Sequence, residues 1–573
     1  MAQCSFKNSI QHIKDFVTSK SKSAKHSIVC FFDRCCKALD SKISPEFKSK
    51  LKHIKEVIAP KFKSVKNGLV CFWGKTCNAL NHKFSSIIAF VASLLIFLIG
   101  YLVSVPNVML IAVSLFLLFA ALFCLANVND RILSLIFLFV IFTFLLSRPI
   151  ISFFRGNEWW YFSEKTIALA LLTILLSMAF IIFGTQIAKL IIKKLPVSKD
   201  AENTVTFYPW IQSALYIGLF ILFIIRMYNE FDTYIQIKSL SYVGMYTGEL
   251  QALPIWIRLP AGLYEYVAVA NLALMPNKKK TYLILLTFVI VPIPTLLSGA
   301  RFKFILHIML AVIYILIRNI INKEQKWITK RMISFAVVMV FVLILSMSAI
   351  NYAREDSSAS KAVQDKNTNL ITDFFYLQGT SFDTVCQGFE YESDIRALPG
   401  KPCYTLSAFI DYFNSSTLGK IILGENKYTG SNSMEMVKYS SSLSHRLSYV
   451  VMPEKYLAGH GRGSSYILET YFDGGFVLLI IFSILIGIFL TLVPHILNFK
   501  NFYVKLIVLT TMINFYSMPR ASAFEFLQFI IKPQFWIVVV ALVLAQFVTK
   551  HQLINKIMVK LKSLQNIKRK NIN

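Results

Sequence analysis

Twelve long apolar stretches run along the chain, at roughly 84–103, 106–126, 132–147, 166–190, 210–226, 254–275, 281–297, 302–321, 333–350, 474–493, 503–518 and 528–548. Most reach the ~17–25 residues that a membrane-spanning helix needs. Between the ninth and tenth, residues 351–464 lack such a run, and that length reads as a small domain of short helices over the membrane mouth. Before the first stretch, residues 6–43 and 47–84 form a tandem repeat with a 41-residue offset, clearest where KSAKHSIVCFF (22–32) aligns with KSVKNGLVCFW (63–73). Each copy is Lys-rich, amphipathic and interrupted, a pattern that lies on anionic lipid. A basic tail, Lys550 to Lys570, reads the same way. Broken by charge throughout, the first 83 residues do not read as a cleavable signal peptide.

Composition agrees with a polytopic membrane protein: 573 residues, 55% hydrophobic and 16% charged. Threading the stretches alternately puts both Lys-rich ends on one side, together with Lys193, Lys194, Lys199, Lys278 to Lys280, Lys323, Lys326, Lys330 and Arg331. By the positive-inside rule that side is the cytoplasm. The other side receives 10 of the 15 arginines but only 11 of the 45 lysines, and its 21 cations meet 21 carboxylates. The net charge of +30 is therefore cytoplasmic, 39 cations minus 9 carboxylates. Arginine is the residue for bidentate recognition of phosphate and carboxylate, so its gathering at outer helix ends predicts an anion site on that face.

Two short segments carry the candidate chemistry. Leu297-Ser298-Gly299-Ala300-Arg301 ends the seventh stretch, and the Ser-Gly pair lets the chain reverse tightly. It pins Arg301 at the boundary, as a phosphate ligand or as a snorkelling anchor, with Ser298 beside it. Gly459-His460-Gly461-Arg462-Gly463-Ser464-Ser465 precedes Tyr466-Ile-Leu-Glu469-Thr-Tyr-Phe-Asp473-Gly-Gly. A glycine-rich approach to a helix start is an anion site. Glu469 and Asp473 share one helical face. Glu469 is then a candidate general base, with His460 second, or else a partner of an outer arginine. The same reading puts Asp473 one turn deeper than Glu469. Arg258, seven residues from Glu265, is either its ion-pair partner or part of the pocket. Arg354 and Arg520 ring the same mouth.

Other features narrow the chemistry. Glu390, Glu392 and Asp394 alternate as a solvated face or a divalent-cation site. The first outer loop, around Ser104–Pro106, lacks the acidic pair of metal-dependent membrane glycosyltransferases. No phosphate-cradling lysine loop, dinucleotide fingerprint or HExxH occurs, and neither a metal nor another cofactor is expected. Cys4, Cys30, Cys35, Cys36, Cys71 and Cys77 read as reduced cytoplasmic thiols. Cys386 and Cys403 are the two cysteines of the large loop, and their spacing permits a disulfide without requiring it.

Twelve helices, two cytoplasmic ends and a large outer loop before the last helices resemble the Wzy-type O-antigen polysaccharide polymerases. Leu297-Ser-Gly-Ala-Arg301 is similar to that family's Ser-Gly-Ser-Arg type of turn. Gly461 to Gly475 resembles its glycine–serine–aromatic–Ile–Ala–Glu–aromatic–glycine stretch. The chain departs at Ala300, at Thr470 and in its repeated N-terminal extension. The resemblance implies an all-α fold of GT-C-like architecture in the bacterial inner membrane. It also implies glycosyl transfer at the outer leaflet, from a glycan on undecaprenyl pyrophosphate to the non-reducing sugar of a new lipid-linked repeat unit. Arg301 and Arg462, with Arg258, Arg354 or Arg520, would stabilise the leaving pyrophosphate, and Glu469 or His460 would take the acceptor proton. Anionic lipids under the N-terminal repeat and a chain-length regulator protein are the further partners considered; nucleic acid is not one. An O-antigen ligase shares the architecture and the outer arginines. An exporter or flippase of an anionic glycolipid would instead show internal repeats and charges at the midplane, and no repeat is visible within residues 84–548.

Overall fold

The computed structural model describes residues 84–550 except 195–208, 241–243, 245, 249, 323–325, 330–369, 401, 426, 429–430 and 500. The N-terminal repeat, the ninth apolar stretch, Arg354 and the basic tail beyond Lys550 lie outside the described residues. What is described is helical throughout. The elements are α1 (Ser85–Leu102), α2 (Pro106–Leu125), α3 (Val128–Ile141), α4 (Ser147–Phe154), α5 (Glu164–Lys194), α6 (Pro209–Leu240), α7 (Ile255–Ala273), α8 (Lys278–Ile290), α9 (Ile293–Leu297) and α10 (Phe302–Ile321). Eight short helices follow: α11 (Leu370–Gln378), α12 (Ser381–Glu390), α13 (Glu392–Ala397), α14 (Ser407–Ser415), α15 (Thr417–Leu423), α16 (Met434–Tyr439), α17 (Leu443–Val451) and α18 (Pro453–Leu457). Last come α19 (Tyr466–Leu497), α20 (Phe502–Phe515) and α21 (Pro533–Lys550), with 3-10 segments Met518–Arg520 and Glu525–Ile531 between the final two.

Among the described residues, eight helices are long and apolar enough to cross a membrane, and nine if the bent pair Glu525–Ile531 and Pro533–Thr549 is one span. The chain is thus an all-α polytopic membrane protein. The sixth and eleventh apolar stretches form α7 and α20 but fall outside that set. α20 is only 14 residues long, and α7 carries Arg258, Glu265 and Asn271 in its 19.

α5 and α19 form the spine of the bundle. A Cβ built on Gly184 would stand 2.2 Å from the Ile484 carbonyl oxygen, and one on Gly487 2.0 Å from that of Ile181. Only glycine lets two backbones meet so closely, which is how helices pack where lipid removes the hydrophobic incentive. α3 passes into a π-helical turn, Phe142–Leu146, before α4. Such turns rotate the residues that follow out of α-register, and here Ser147 and Arg148 reach the 370–457 helices, at the Phe375 carbonyl and Asp383.

Those helices are held by polar hubs as much as by a core. Arg446 is 1% exposed and donates to the carbonyls of Leu398 (2.9 Å), Pro399 (2.9 Å) and Val437 (3.3 Å). Asp411 accepts from Tyr428 Oη, the Ser441 N–H and Ser440 Oγ at 2.7–2.8 Å. Glu390 accepts from the hydroxyls of Ser163 (2.9 Å) and Thr166, docking α12 on the start of α5, while Glu392 pairs with Arg396 at 2.8 Å. Among the described residues no group of acidic, His or Cys side chains could hold a metal ion. Cys386 and Cys403 stand as free thiols, Cys386 buried.

Candidate functional site

α19 is two helices, not one. Gly474 (φ −144°, ψ 19°) and Gly475 (φ +59°, ψ −152°) break it, and the second combination is open essentially to glycine alone. The chain reverses there. The rings of Tyr466 and Phe482 lie 5.9 Å apart, although a continuous helix would separate these residues by about 24 Å. Tyr466 Oη and Ser483 Oγ both bond Ser177 Oγ. Ser177 lies thirteen residues into α5, about 20 Å from its Glu164 end. Residues 466–473 are therefore a short re-entrant helix whose start is buried in the bundle and whose tip points back to the 370–457 helices.

This hairpin corrects the order of the two carboxylates. Asp473, at the tip, is exposed and accepts from the N–H groups of Tyr404 (3.1 Å) and Thr405 (2.7 Å) and from Thr405 Oγ1 (2.6 Å). Glu469 lies a turn further in and is 0% exposed. Its Oε1 accepts from Ser464 Oγ at 2.7 Å, its Oε2 from the Ala523 N–H at 2.7 Å, and Ser522 adds its hydroxyl. Among the described residues no cation lies within ion-pair distance of it. The ion-pair role considered for Glu469 is thus not what this arrangement provides. Burying an ionised carboxylate costs several kcal/mol, and donors worth ~1.5–3 kcal/mol each offset part of that.

The donors belong to two crossing segments. Ser464 ends the glycine-rich approach, and Ala523 belongs to a strap, residues 517–532, that returns from α20. The strap crosses the approach at Gly463, where a Cβ would lie 3.4 Å from the Arg520 carbonyl oxygen. Arg520 donates to Gln378 Oε1 at 3.1 Å and lies 5.3 Å over the Phe144 ring. On the other side, Asp383 pairs with Arg148 at 3.0 Å and also faces Arg462; burial holds its carboxyl above the ordinary 3.8 against both guanidiniums. The Arg462 Nε is buried without a hydrogen-bond partner. Arg155 pairs with Asp373 at 2.6 Å, and Arg148 and Arg155 both stack on Tyr376, at 4.9 and 5.4 Å. Arg148, Arg155, Arg462 and Arg520 are thus tied to the 370–390 helices through Asp383, Asp373, Tyr376 and Gln378, and Arg462 and Arg520 sit on the two crossing segments that supply donors to Glu469.

Of the residues singled out from sequence, the fold brings together Glu469, Arg462 and Arg520. His460 is exposed, its N–H bonded to the Lys455 carbonyl and its C=O to Asn432 Nδ2, both at 2.9 Å. Ser298, in the turn that leads to Arg301, belongs to a different cluster. Ser298 Oγ bonds the Thr295 carbonyl at 2.7 Å, Thr295 Oγ1 bonds Glu230 at 3.0 Å, and Lys303 Nζ bonds Glu230 at 2.6 Å. Glu265 faces Arg226 and Lys303 rather than Arg258, which corrects the pairing considered from their seven-residue spacing.

Sequence reasoning counted Arg148 and Arg226 among the outer arginines without assigning them partners, and passed over Asp383, Tyr376, the path of the 517–532 strap beyond Arg520, and the Glu230–Lys303 pair. Only Arg226 and Glu230, four apart in one helix, carried a local signal.

The family model for O-antigen polysaccharide polymerase Wzy matches residues 85–552. No curated protein and no solved structure matches the chain.

Proposed function

The chain belongs to the O-antigen polysaccharide polymerase Wzy family, which polymerises lipid-linked oligosaccharide repeat units, and from that premise we propose how and where it acts. The donor is a glycan on undecaprenyl pyrophosphate, met at the outer leaflet of the bacterial inner membrane. The acceptor is the non-reducing sugar of a second lipid-linked unit. The acceptor oxygen bonds to the anomeric carbon, the bond from that carbon to the pyrophosphate oxygen breaks, and undecaprenyl pyrophosphate leaves. Attack opposite the leaving group inverts the anomeric centre. Twelve spans of GT-C-like arrangement, with both ends cytoplasmic, are the topology that goes with this reading.

One observation supports the site assignment: Glu469, with no cation within ion-pair distance among the described residues, takes its donors from the two crossing segments that carry Arg462 and Arg520. Arg148 and Arg462 share Asp383. A pyrophosphate entering there meets guanidiniums already aimed by Asp383, Gln378 and Tyr376, so little reorganisation is needed as charge develops on the leaving group. Glu469 takes the acceptor proton. In this conformation the Ala523 N–H holds its Oε2, and the acceptor hydroxyl replaces that donor when the strap shifts.

The reading is tested by the glycans of a deletion strain. A surface lipopolysaccharide capped with a single repeat unit, restored to long chains by the wild-type gene, is the expected result. Polymer retained on the carrier lipid would mean a ligase, and repeat units trapped inside the cell would mean a flippase.

A further inference from the structure

A second charged cluster lies away from Glu469, where α6, α7, α9 and α10 meet. Its two carboxylates differ. Glu230 is 4% exposed, and its oxygens are taken by Lys303 Nζ (2.6 Å), Arg226 (2.9 Å) and Thr295 Oγ1 (3.0 Å). Glu265 is held loosely, 3.5 Å from Arg226 and 3.9 Å from Lys303, and both contacts fall on Oε1. Its side chain keeps 25% of its exposure and that of Lys303 keeps 35%. One carboxylate braces the helices; the other is open on one oxygen beside an open ammonium group.

Charge count separates this cluster from the arginines near Glu469. There, two guanidiniums share one aspartate. Here three cations, Arg226, Lys303 and Lys532, face three carboxylates, Glu230, Glu265 and Glu525, so a phosphate would have to displace a carboxylate. A neutral polyhydroxylated molecule needs no displacement, because its hydroxyls donate to a carboxylate and accept from an ammonium group together. Ionisable groups inside a membrane bundle pair with one another and mark substrate or ion pathways.

The strap joins the two places. Ala523 bonds Glu469, and Lys532 at the strap's other end interacts electrostatically with Glu265 and Lys303. Nine residues extended reach about 30 Å, and here most of them form the shorter 3-10 segment Glu525–Ile531.

We infer that the Arg226–Glu230–Glu265–Lys303 cluster is a second ligand site, which grips sugar hydroxyls of the acceptor repeat unit through Glu265 and Lys303 while the reacting hydroxyl reaches Glu469. The inference rests on the polymerase reading for the identity of the glycan, not for the chemistry of the site.

The test uses the purified full-length protein and two probes, the lipid-free repeat-unit oligosaccharide released by mild acid and inorganic pyrophosphate. Glu265→Gln should weaken oligosaccharide binding about tenfold and leave pyrophosphate binding and thermal stability unchanged, with Glu265→Asp falling between. Unaltered oligosaccharide binding in Glu265→Gln overturns the inference. So does no oligosaccharide binding by the wild type, and so does joint loss of both ligands and of stability, which would make the cluster a brace. Arg462→Ala should lose pyrophosphate and keep the oligosaccharide. Unchanged pyrophosphate binding there would overturn the anion site near Glu469, with the Glu265 result still standing for the second site.

Discussion

The Ala523 backbone N–H donates to Oε2 of Glu469 across 2.7 Å, tying residues 54 positions apart. Three residues earlier on the same strap, Arg520 lies over Phe144. The buried carboxylate's backbone donor and one of the candidate arginines therefore belong to a single stretch of chain. A shift of the strap would move both.

The hairpin should depend on Gly475. Its backbone angles (φ +59°, ψ −152°) cost a side-chain-bearing residue of order 1–3 kcal/mol. Gly475→Ala should lower the melting temperature and cut transfer, whereas Gly218→Ala, at an open position with no neighbour within 4 Å of an added Cβ, should do neither. Thermal melts of the two purified variants check this.

Asp473 should matter for assembly. It accepts three bonds from Tyr404 and Thr405, and Asp473→Asn replaces one acceptor oxygen with a donor that cannot take an N–H. Losing these contacts should cost about 1–3 kcal/mol and loosen the 403–406 turn. Hydrogen exchange at Tyr404 and Thr405 should accelerate in Asp473→Asn and stay slow in Glu469→Gln.

Arg520→Lys should lose most transfer activity although the charge remains. One ammonium group cannot reproduce a planar fork that both bonds Gln378 and stacks on Phe144. A loss of roughly 10- to 150-fold corresponds to one charge-assisted contact of ~1.5–3 kcal/mol. Arg301→Lys, in the turn whose neighbours Ser298 and Lys303 bond the Glu230 cluster, should lose less; steady-state rates on lipid-linked substrate rank the two.

Acid should loosen the 370–457 helices through His445. Its Nδ1 lies 3.1 Å from Tyr456 Oη, and burial lowers its pKa below the ordinary 6.5, with Asp411 acting weakly against the shift. The folded protein thus binds this proton less readily than the unfolded chain. Stability should be constant above about pH 6.5, fall as pH drops below it, and level off below the folded-state value. His445→Gln should flatten this window in a pH series of thermal melts.

Much of this was readable in the chain. The apolar runs mark the helices, and Gly461 to Gly475 marks the segment that holds Glu469. What the sequence hid was direction. Residues 466–497 read as an entry into the bilayer, because an apolar run carries no sign of reversing except two glycines. Pairing was hidden for a related reason. Glu265 and Arg258 share a helix face, but Arg226 and Lys303 come from other helices, and only packing decides which cation arrives. Arg446 looked like any other arginine of the loop, and its three carbonyl acceptors exist only once α13, α16 and α17 are assembled.

The central claim is that Glu469 takes the acceptor's proton while the arginines hold the pyrophosphate, and turnover of Glu469→Gln, measured beside its binding of the lipid-linked donor, tests it most directly. Glutamine keeps the size and an oxygen acceptor but cannot accept a proton at neutral pH. Turnover should fall by about 10²–10⁴ with donor binding unchanged, and His460→Ala should stay near normal. Normal turnover in Glu469→Gln would contradict the account, and a large loss in His460→Ala beside it would move the base to His460.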